Sequence, residues 1–338
     1  MGSVFIFILA ITSHIAMAQA PVLRVYTSSS FASEWGPGPT LEKSFEKDCK
    51  CDLKFIPAAD GQAILSRLKL EKNSPKADVV VGLDSTLTAT ADRTDLFLDL
   101  DISAEPMQIK QIHASSRSFL PYDFGYYAFM FDTKAKNGRG LAYSKPSSLE
   151  DLISNPEYQK SVIIQDPRSS AAGLALLLWL RSVYGEKTTE KFPQLKRQLL
   201  SITKGWSEAY KLFTSGEAPI VLSYTTSEAY HREQDKTDRY QALIFPEGHY
   251  LAVEHAAILR SSKQIELAKM FLRHLLMPNS QTTIASKNWM YPVISSTILP
   301  KAYAMLQLPN QVLQLKPAEI DKNREKWIKE WQTQIRKN

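Results

Sequence analysis

The chain reads as an α/β protein of two lobes joined by a hinge of two crossing strands, and three observations carry that expectation. The opening hundred residues alternate apolar runs and amphipathic stretches in the order β-α-β-α-β-α, the pattern of an open α/β domain. Two long apolar strands, at 122–132 and 250–257, flank a central block. A length of 338 residues is long for one domain and comfortable for two. The simplest topology inserts one α/β domain into another. Residues 19–121 and 251–338 then form the first lobe, and 122–250 the second. Two lobes on two crossing strands make a clamshell.

Each element has its own warrant. Residues 23–27 alternate and predict a strand. Residues 28–39 predict a loop, because two Gly-Pro pairs break regular structure. A short helix is expected over 40–49, with Leu41 and Phe45 on one face, and a strand over 51–58. Asp60 opens the next helix, where Ile64, Leu65 and Leu68 fall at helical spacing. Residues 77–84 are continuously apolar, as buried parallel strands are. Ser147-Ser148-Leu149-Glu150 reads as a capping box. A strand over 161–166 feeds a strongly apolar helix closed by Gly185. Another strand, 219–225, precedes a helix from Ser227. After the second long strand come a helix over 264–277, a loop over 279–292 and an amphipathic helix over 317–335.

The first twenty residues carry no charge, and their apolar core at 4–11 is too short to span a bilayer. Ala-x-Ala pairs follow. Residues 1–18 are therefore expected to be a secretory signal peptide, cut after Ala18 because Pro21 obstructs the next site. No later run is long enough for a membrane span. The net charge is +6, with Lys and Arg scattered among Asp and Glu, so a nucleic-acid footprint is not expected. Cys49 and Cys51 lack the second ligand pair of a zinc site. Their spacing closes a very small ring and leaves a local disulfide and free thiols both open. His231, His249 and His255 show no metal-ligand spacing, and no metal is expected.

Ligands in open α/β sheets bind beyond the carboxyl ends of the strands. Those ends carry Ser28, Ser29 and Ser30 with Trp35, then Asp60-Gly61, Asp84, and Asp166 through Ser170. Trp206, with Ser207 as the expected cap, lies beside a helix start. Tyr224 and Thr225 end a strand, Ser227 is the expected cap after it, and Tyr230 lies one turn on. Trp289 sits before Tyr291-Pro292 in the expected loop. The helix start at Ser169-Ser170 offers N–H groups to an anion. Aromatic faces attract cations, and carboxylates accept hydrogen bonds from exocyclic amines. The set suits a small ligand with a flat cationic part and an anionic or hydroxylated tail. Each residue also has an ordinary use, as helix cap or packing. Trp179 and Trp331 are assigned to packing.

Nine motifs follow one another: VYT with FASEWGPGP (25–39), ADG with LSRL (59–68), KADVVVGLD (76–84), PYDFGY (121–126), QDPRSS (165–170), TKGWSEAY (203–210), LSYTTS (222–227), EGHY (247–250) and NWMYP (288–292). In this order they resemble the periplasmic thiamine-binding proteins of bacterial ABC importers, from Val22 to about Trp331. The resemblance implies a type II periplasmic-binding-protein fold and capture of thiamine and its mono- and diphosphate. It further implies delivery to a membrane permease, a periplasmic monomer, no cofactor and no catalysis. It carries over Trp35, Asp60, Gly61, Ser169, Ser170, Trp206, Tyr224, Tyr230 and Trp289 as ligand-binding residues. Asp60 is assigned to the aminopyrimidine, and Ser169, Ser170 and Trp206 to the tail. One departure is visible: the family carries Tyr-Asp directly after Val-Tyr-Thr, and this chain has Ser28-Ser29, which removes an aromatic. Two other functions fit the fold. A thiaminase needs a nucleophilic cysteine in the cleft. An iron(III) binder uses clustered tyrosines, but Tyr126-Tyr127 lie in a strand, where neighbours face opposite ways.

Overall fold

The computed structural model describes residues 20–72, 74–102 and 117–336. The expected signal peptide, 1–18, lies outside the described residues.

Three parallel strands open the chain: β1 (Val22–Ser28), β2 (Asp52–Ala58) and β3 (Val79–Asp84), in the order β2-β1-β3. Between and after them lie α1 (Ser29–Ala32), α2 (Gly38–Cys49), α3 (Gly61–Glu71) and α4 (Thr88–Asp92). The loop expected over 28–39 is thus shorter than its Gly-Pro pairs suggest. The Ser28 hydroxyl accepts from the Phe31 N–H at 3.2 Å and starts a helical turn whose Phe31 is buried. Gly38 and Pro39 enter the first turn of α2, where a missing N–H costs nothing. At the far end of α2, Cys49 and Cys51 form a disulfide with a Cα–Cα distance of 5.2 Å.

The long strands are β4 (Leu120–Asp132) and, later, β9 (His249–Ile258). Between them run α5 (Leu149–Ser154), β5 (Val162–Gln165), α6 (Ala171–Tyr184), α7 (Thr188–Gln198), β6 (Leu199–Thr203), α8 (Trp206–Thr214), β7 (Ile220–Tyr224), α9 (Ser227–Glu233) and β8 (Tyr240–Leu243). After β9 come α10 (Ile265–Leu275), α11 (Pro278–Lys287), β10 (Tyr291–Pro292), β11 (Val312–Leu313) and α12 (Pro317–Arg336). Among the described residues the main sheet path is β2-β1-β3-β9-β4-β7-β5-β6.

The hinge is visible in the register of β4. Leu120 to Tyr126 pair antiparallel with Ala256 to Leu251 of β9. From Tyr127 onward the partner changes, and Tyr127 to Phe131 pair with Tyr224 to Ile220 of β7. One strand therefore belongs to both halves of the sheet, and the exchange falls between two adjacent tyrosines.

Three caps and one loop differ from expectation. The capping box sits one residue late: Ser148 caps α5 by accepting from Asp151 N–H, and Asp151 accepts from the Ser147 N–H in return. Helix α8 is capped by Gly205, not Ser207, and α9 by Thr226, not Ser227. The loop expected over 279–292 is mostly α11. Buried Gln281 holds it there, donating to the Tyr122 and Leu275 carbonyls and accepting from the Val293 N–H, all within 2.9 Å. These tertiary bonds outweigh the weak helix propensity of its Ser, Thr and Asn residues.

Helix α6 is buried on every side from Ala171 to Arg181. Its Trp179 ring lies nearly parallel to Phe129 at 5.9 Å, and its indole N–H donates to the Gly248 carbonyl. Truncating such a ring costs about 3–5 kcal/mol. Helix α12 lies across both halves. It joins α4 through Arg93–Asp321 and α3 through Arg324–Gln62. It joins α6 through Arg181–Glu330 and α7 through Trp331 edge-on to Phe192.

Candidate ligand-binding site

A cavity of about 540 Å³ lies between the two halves of the sheet, in the range that small-molecule ligands occupy. Its two walls differ in chemistry.

One wall is acidic. Asp60 caps α3, its Oδ1 accepting from the N–H groups of Gln62 (2.9 Å) and Ala63 (3.2 Å). Its Oδ2 reaches across the cavity and accepts from the N–H of Ala171, the first residue of α6, at 3.2 Å. One carboxylate thus sits on the starts of two helices, where N–H groups and helix dipoles favour negative charge. Burial pushes the Asp60 carboxyl up, and these N–H donors work against that shift. The Ser170 hydroxyl makes no hydrogen bond of ordinary geometry, yet it approaches Asp60 closely enough to help hold its charge. The helix start expected to meet the ligand's tail is therefore already shared with Asp60. Gly61 is required where it stands: a Cβ there would lie 2.4 Å from the Gly82 carbonyl oxygen. Gly82 itself adopts φ +99°, a conformation that side chains resist, at a register shift in β3.

Asp84 ends β3 behind this corner. Its carboxylate accepts from the Thr86 N–H (2.7 Å) and the Tyr127 hydroxyl (3.0 Å). Burial nonetheless pushes it up to about 6. Glu254 of β9 also lines this wall and is partly exposed to the cavity.

The opposite wall is aromatic. Trp206 stacks on Tyr210 at 4.6 Å and 18°, and its indole N–H donates to Ser223 Oγ at 2.9 Å. Tyr210 shares a hydrogen bond with His231, which in turn bonds Asp235. Burial lowers the His231 imidazole despite that carboxylate. Tyr224 packs on Tyr127 at 4.8 Å across the point where β4 changes partner. Tyr230 meets Trp289 edge-on at 5.7 Å, and Trp289 lies parallel to Tyr303. Trp289 has φ 54°, strained for a tryptophan and of the kind found at binding sites. Trp35 stands at the rim, 58% exposed.

Of the nine expected residues, Trp35, Asp60, Gly61, Ser170, Trp206, Tyr224, Tyr230 and Trp289 line the cavity. Ser169 does not; its hydroxyl donates to the Lys204 carbonyl at 2.8 Å. Ser28 lines the cavity where the resemblance expects an aromatic, and Ser30 lines it close by. Tyr210, Glu254 and Asn288 line it without having been singled out, and Tyr127 and His231, weighed earlier only as metal ligands, line it too. Only Tyr210 left a readable signal, four residues after Trp206 and hence on the same helix face. Among the described residues there is no group of three or more His, Cys, Asp or Glu suited to a metal ion, and no helix long and apolar enough to cross a membrane.

Comparison with known proteins places the fold. A family model described as bacterial extracellular solute-binding protein matches residues 74–323. The chain belongs to this family, and its two lobes on two crossing strands are the type II periplasmic-binding-protein fold. Within that class it is similar to the thiamine-binding periplasmic protein of Escherichia coli (strain K12), 45% identical over 316 residues, 93% of this chain and 94% of that one. The thiamine-binding periplasmic protein of Brucella abortus biovar 1 is 43% identical over 310 residues, 91% of this chain and 90% of its own. A solved periplasmic thiamin binding protein superposes with a TM-score of 0.89 at 44% identity, covering 94% of this chain and 97% of its own.

Proposed function

We propose that this protein captures thiamine, and thiamine mono- and diphosphate, in the cleft and delivers them to the membrane permease of an ABC importer. The observation that carries the reading is one cavity with an acidic wall facing an aromatic wall. Thiamine has a permanently cationic thiazolium, which suits aromatic faces and a nearby carboxylate. Its aminopyrimidine suits a carboxylate acceptor such as Asp60, and its hydroxyethyl or phosphate tail suits Ser170 and the start of α6. The names of the relatives support the same ligand. Residues 19–121 with 251–338, and 122–250, are taken as the lobes that close on it. We take the mature protein, without residues 1–18, to act in the periplasm as a monomer, with no cofactor, metal or catalysis.

Two observations weigh against the alternatives. Tyr127 lines the cavity, but Tyr126 packs on Phe124 and Tyr291 away from it, so the adjacent pair cannot clamp iron(III). Both cysteines are joined to each other at the end of α2, outside the cavity lining, which leaves no thiol for a thiaminase-like attack. The test is titration calorimetry on refolded, ligand-stripped mature protein with thiamine, its two phosphates and iron(III) citrate. Sub-micromolar thiamine binding at one site per chain is expected. Iron heat without thiamine heat would overturn the reading.

A further inference from the structure

Asp123 of β4 and Glu254 of β9 face each other across the ladder of the two hinge strands. Asn288, just past α11, donates one amide to both, at 2.8 Å to Asp123 Oδ2 and 3.2 Å to Glu254 Oε2. Tyr122 donates its hydroxyl to the same Glu254 Oε2 at 2.7 Å. Asp123 Oδ1 is fully buried and has no donor. No cationic side chain figures among the groups acting on either carboxyl. Two buried carboxylates in contact cannot both be ionised. A single proton held between them satisfies the orphaned Asp123 oxygen and removes the repulsion. Asp123 is fully buried with an oxygen that has no donor, whereas Glu254 opens onto the cavity, so the proton is placed on Asp123, whose carboxyl burial and the neighbouring charge push well up. Glu254, the member that reaches the cavity, keeps the charge.

We infer that Glu254, backed by Asp123 in a pair holding one proton, is the residue that selects a cationic ligand over a neutral one of the same shape. The inference rests on the thiamine reading of the cleft. Other titratable groups face the pair: Asp84 from β3, Tyr122 from β4, Tyr224 from β7, and Tyr303. The tyrosines are pushed far up by burial and stay neutral. Asp84 is the rival, but each of its oxygens already has a donor. Glu254 takes both of its donors on Oε2, which leaves Oε1 to accept from a ligand.

The test measures binding of thiamine and of the analogue in which a neutral thiophene replaces the thiazolium. It uses the mature protein, Glu254→Gln and Asp123→Asn near pH 7.5. The unaltered protein should prefer thiamine by about tenfold or more, as expected for a charge pair in a partly buried site. Glu254→Gln should bring the two ligands within about twofold of each other. Asp123→Asn should keep the preference, because Glu254 keeps its charge. On acidification the unaltered protein's preference should shrink as the pair takes up a second proton. The analogue shares the aminopyrimidine, so other titrations cancel, and this readout needs no variant to fold. Thiamine binding with the preference intact in Glu254→Gln, or with none in the unaltered protein, overturns this inference alone. Binding of neither ligand by the unaltered protein overturns the thiamine reading with it.

Discussion

The two walls of the cleft are held in place by different forces. On the acidic side every carboxylate is fixed by directional bonds. Asp60 has three backbone N–H donors, and Asp84 has Thr86 and Tyr127. On the aromatic side the rings are fixed mainly by one another, as Trp206 is by Tyr210 and Trp289 by Tyr230 and Tyr303. Hydrogen-bonded charge in a buried site is intolerant of small changes, because one missing partner leaves a costly group unpaired. Stacked rings lose only contact area when trimmed. The acidic wall should therefore govern stability and its pH dependence, and the aromatic wall should govern fit.

The largest effect should come from Asp84→Asn. A folded-state carboxyl raised from 3.8 to about 6 makes the folded protein the better proton binder between those values. Its contribution to stability is thus lost as pH rises through that window, by about 3 kcal/mol in all. The asparagine variant lacks this loss. Relative to the unaltered protein it should gain stability between pH 4 and pH 7 in urea denaturation, and parallel pH curves would sink the assignment. Next comes Asp60→Ala, which removes a cap worth about 1 kcal/mol and a bond between the two halves. Thiamine affinity should fall at least tenfold, about 1.4 kcal/mol, in calorimetry. Unchanged affinity would reduce Asp60 to a structural cap. On the other wall Trp206→Ala should cost about 0.5–2 kcal/mol of binding with no new pH dependence. Ser169→Ala should change affinity by less than its neighbour Ser170→Ala, since only Ser170 lines the cavity.

Both walls were partly legible in sequence: Trp206, Tyr224, Tyr230 and Trp289 were expected and line the cavity, as do Asp60 and Asp84. Asp60 and Asp84 follow apolar strands directly, and a polar residue at a strand end is a local signal. The Asp123–Glu254 pair had no such signal. It exists only because β4 and β9 align in one register, 131 positions apart by 254 − 123, and nothing near either residue announces that alignment. The same holds for α11, whose polar sequence reads as loop until Gln281 finds its three partners. The serines at 169 and 170 look equivalent in sequence. The turn separates them, sending one hydroxyl to the Lys204 carbonyl and burying the other beside Asp60 at the cavity lining.

The bridging position of α12 sets the order of assembly. Its bond from Arg324 to Gln62 joins residues 262 positions apart, and Trp331 closes on Phe192 in the other half. Such contacts close very long loops, whose entropy must be met before the contact stabilises anything. Neither half is fully covered until residues near the end of the chain have been made. A chain lacking α12 would leave uncovered, in both halves at once, the faces of α3, α4, α6 and α7 that this helix joins.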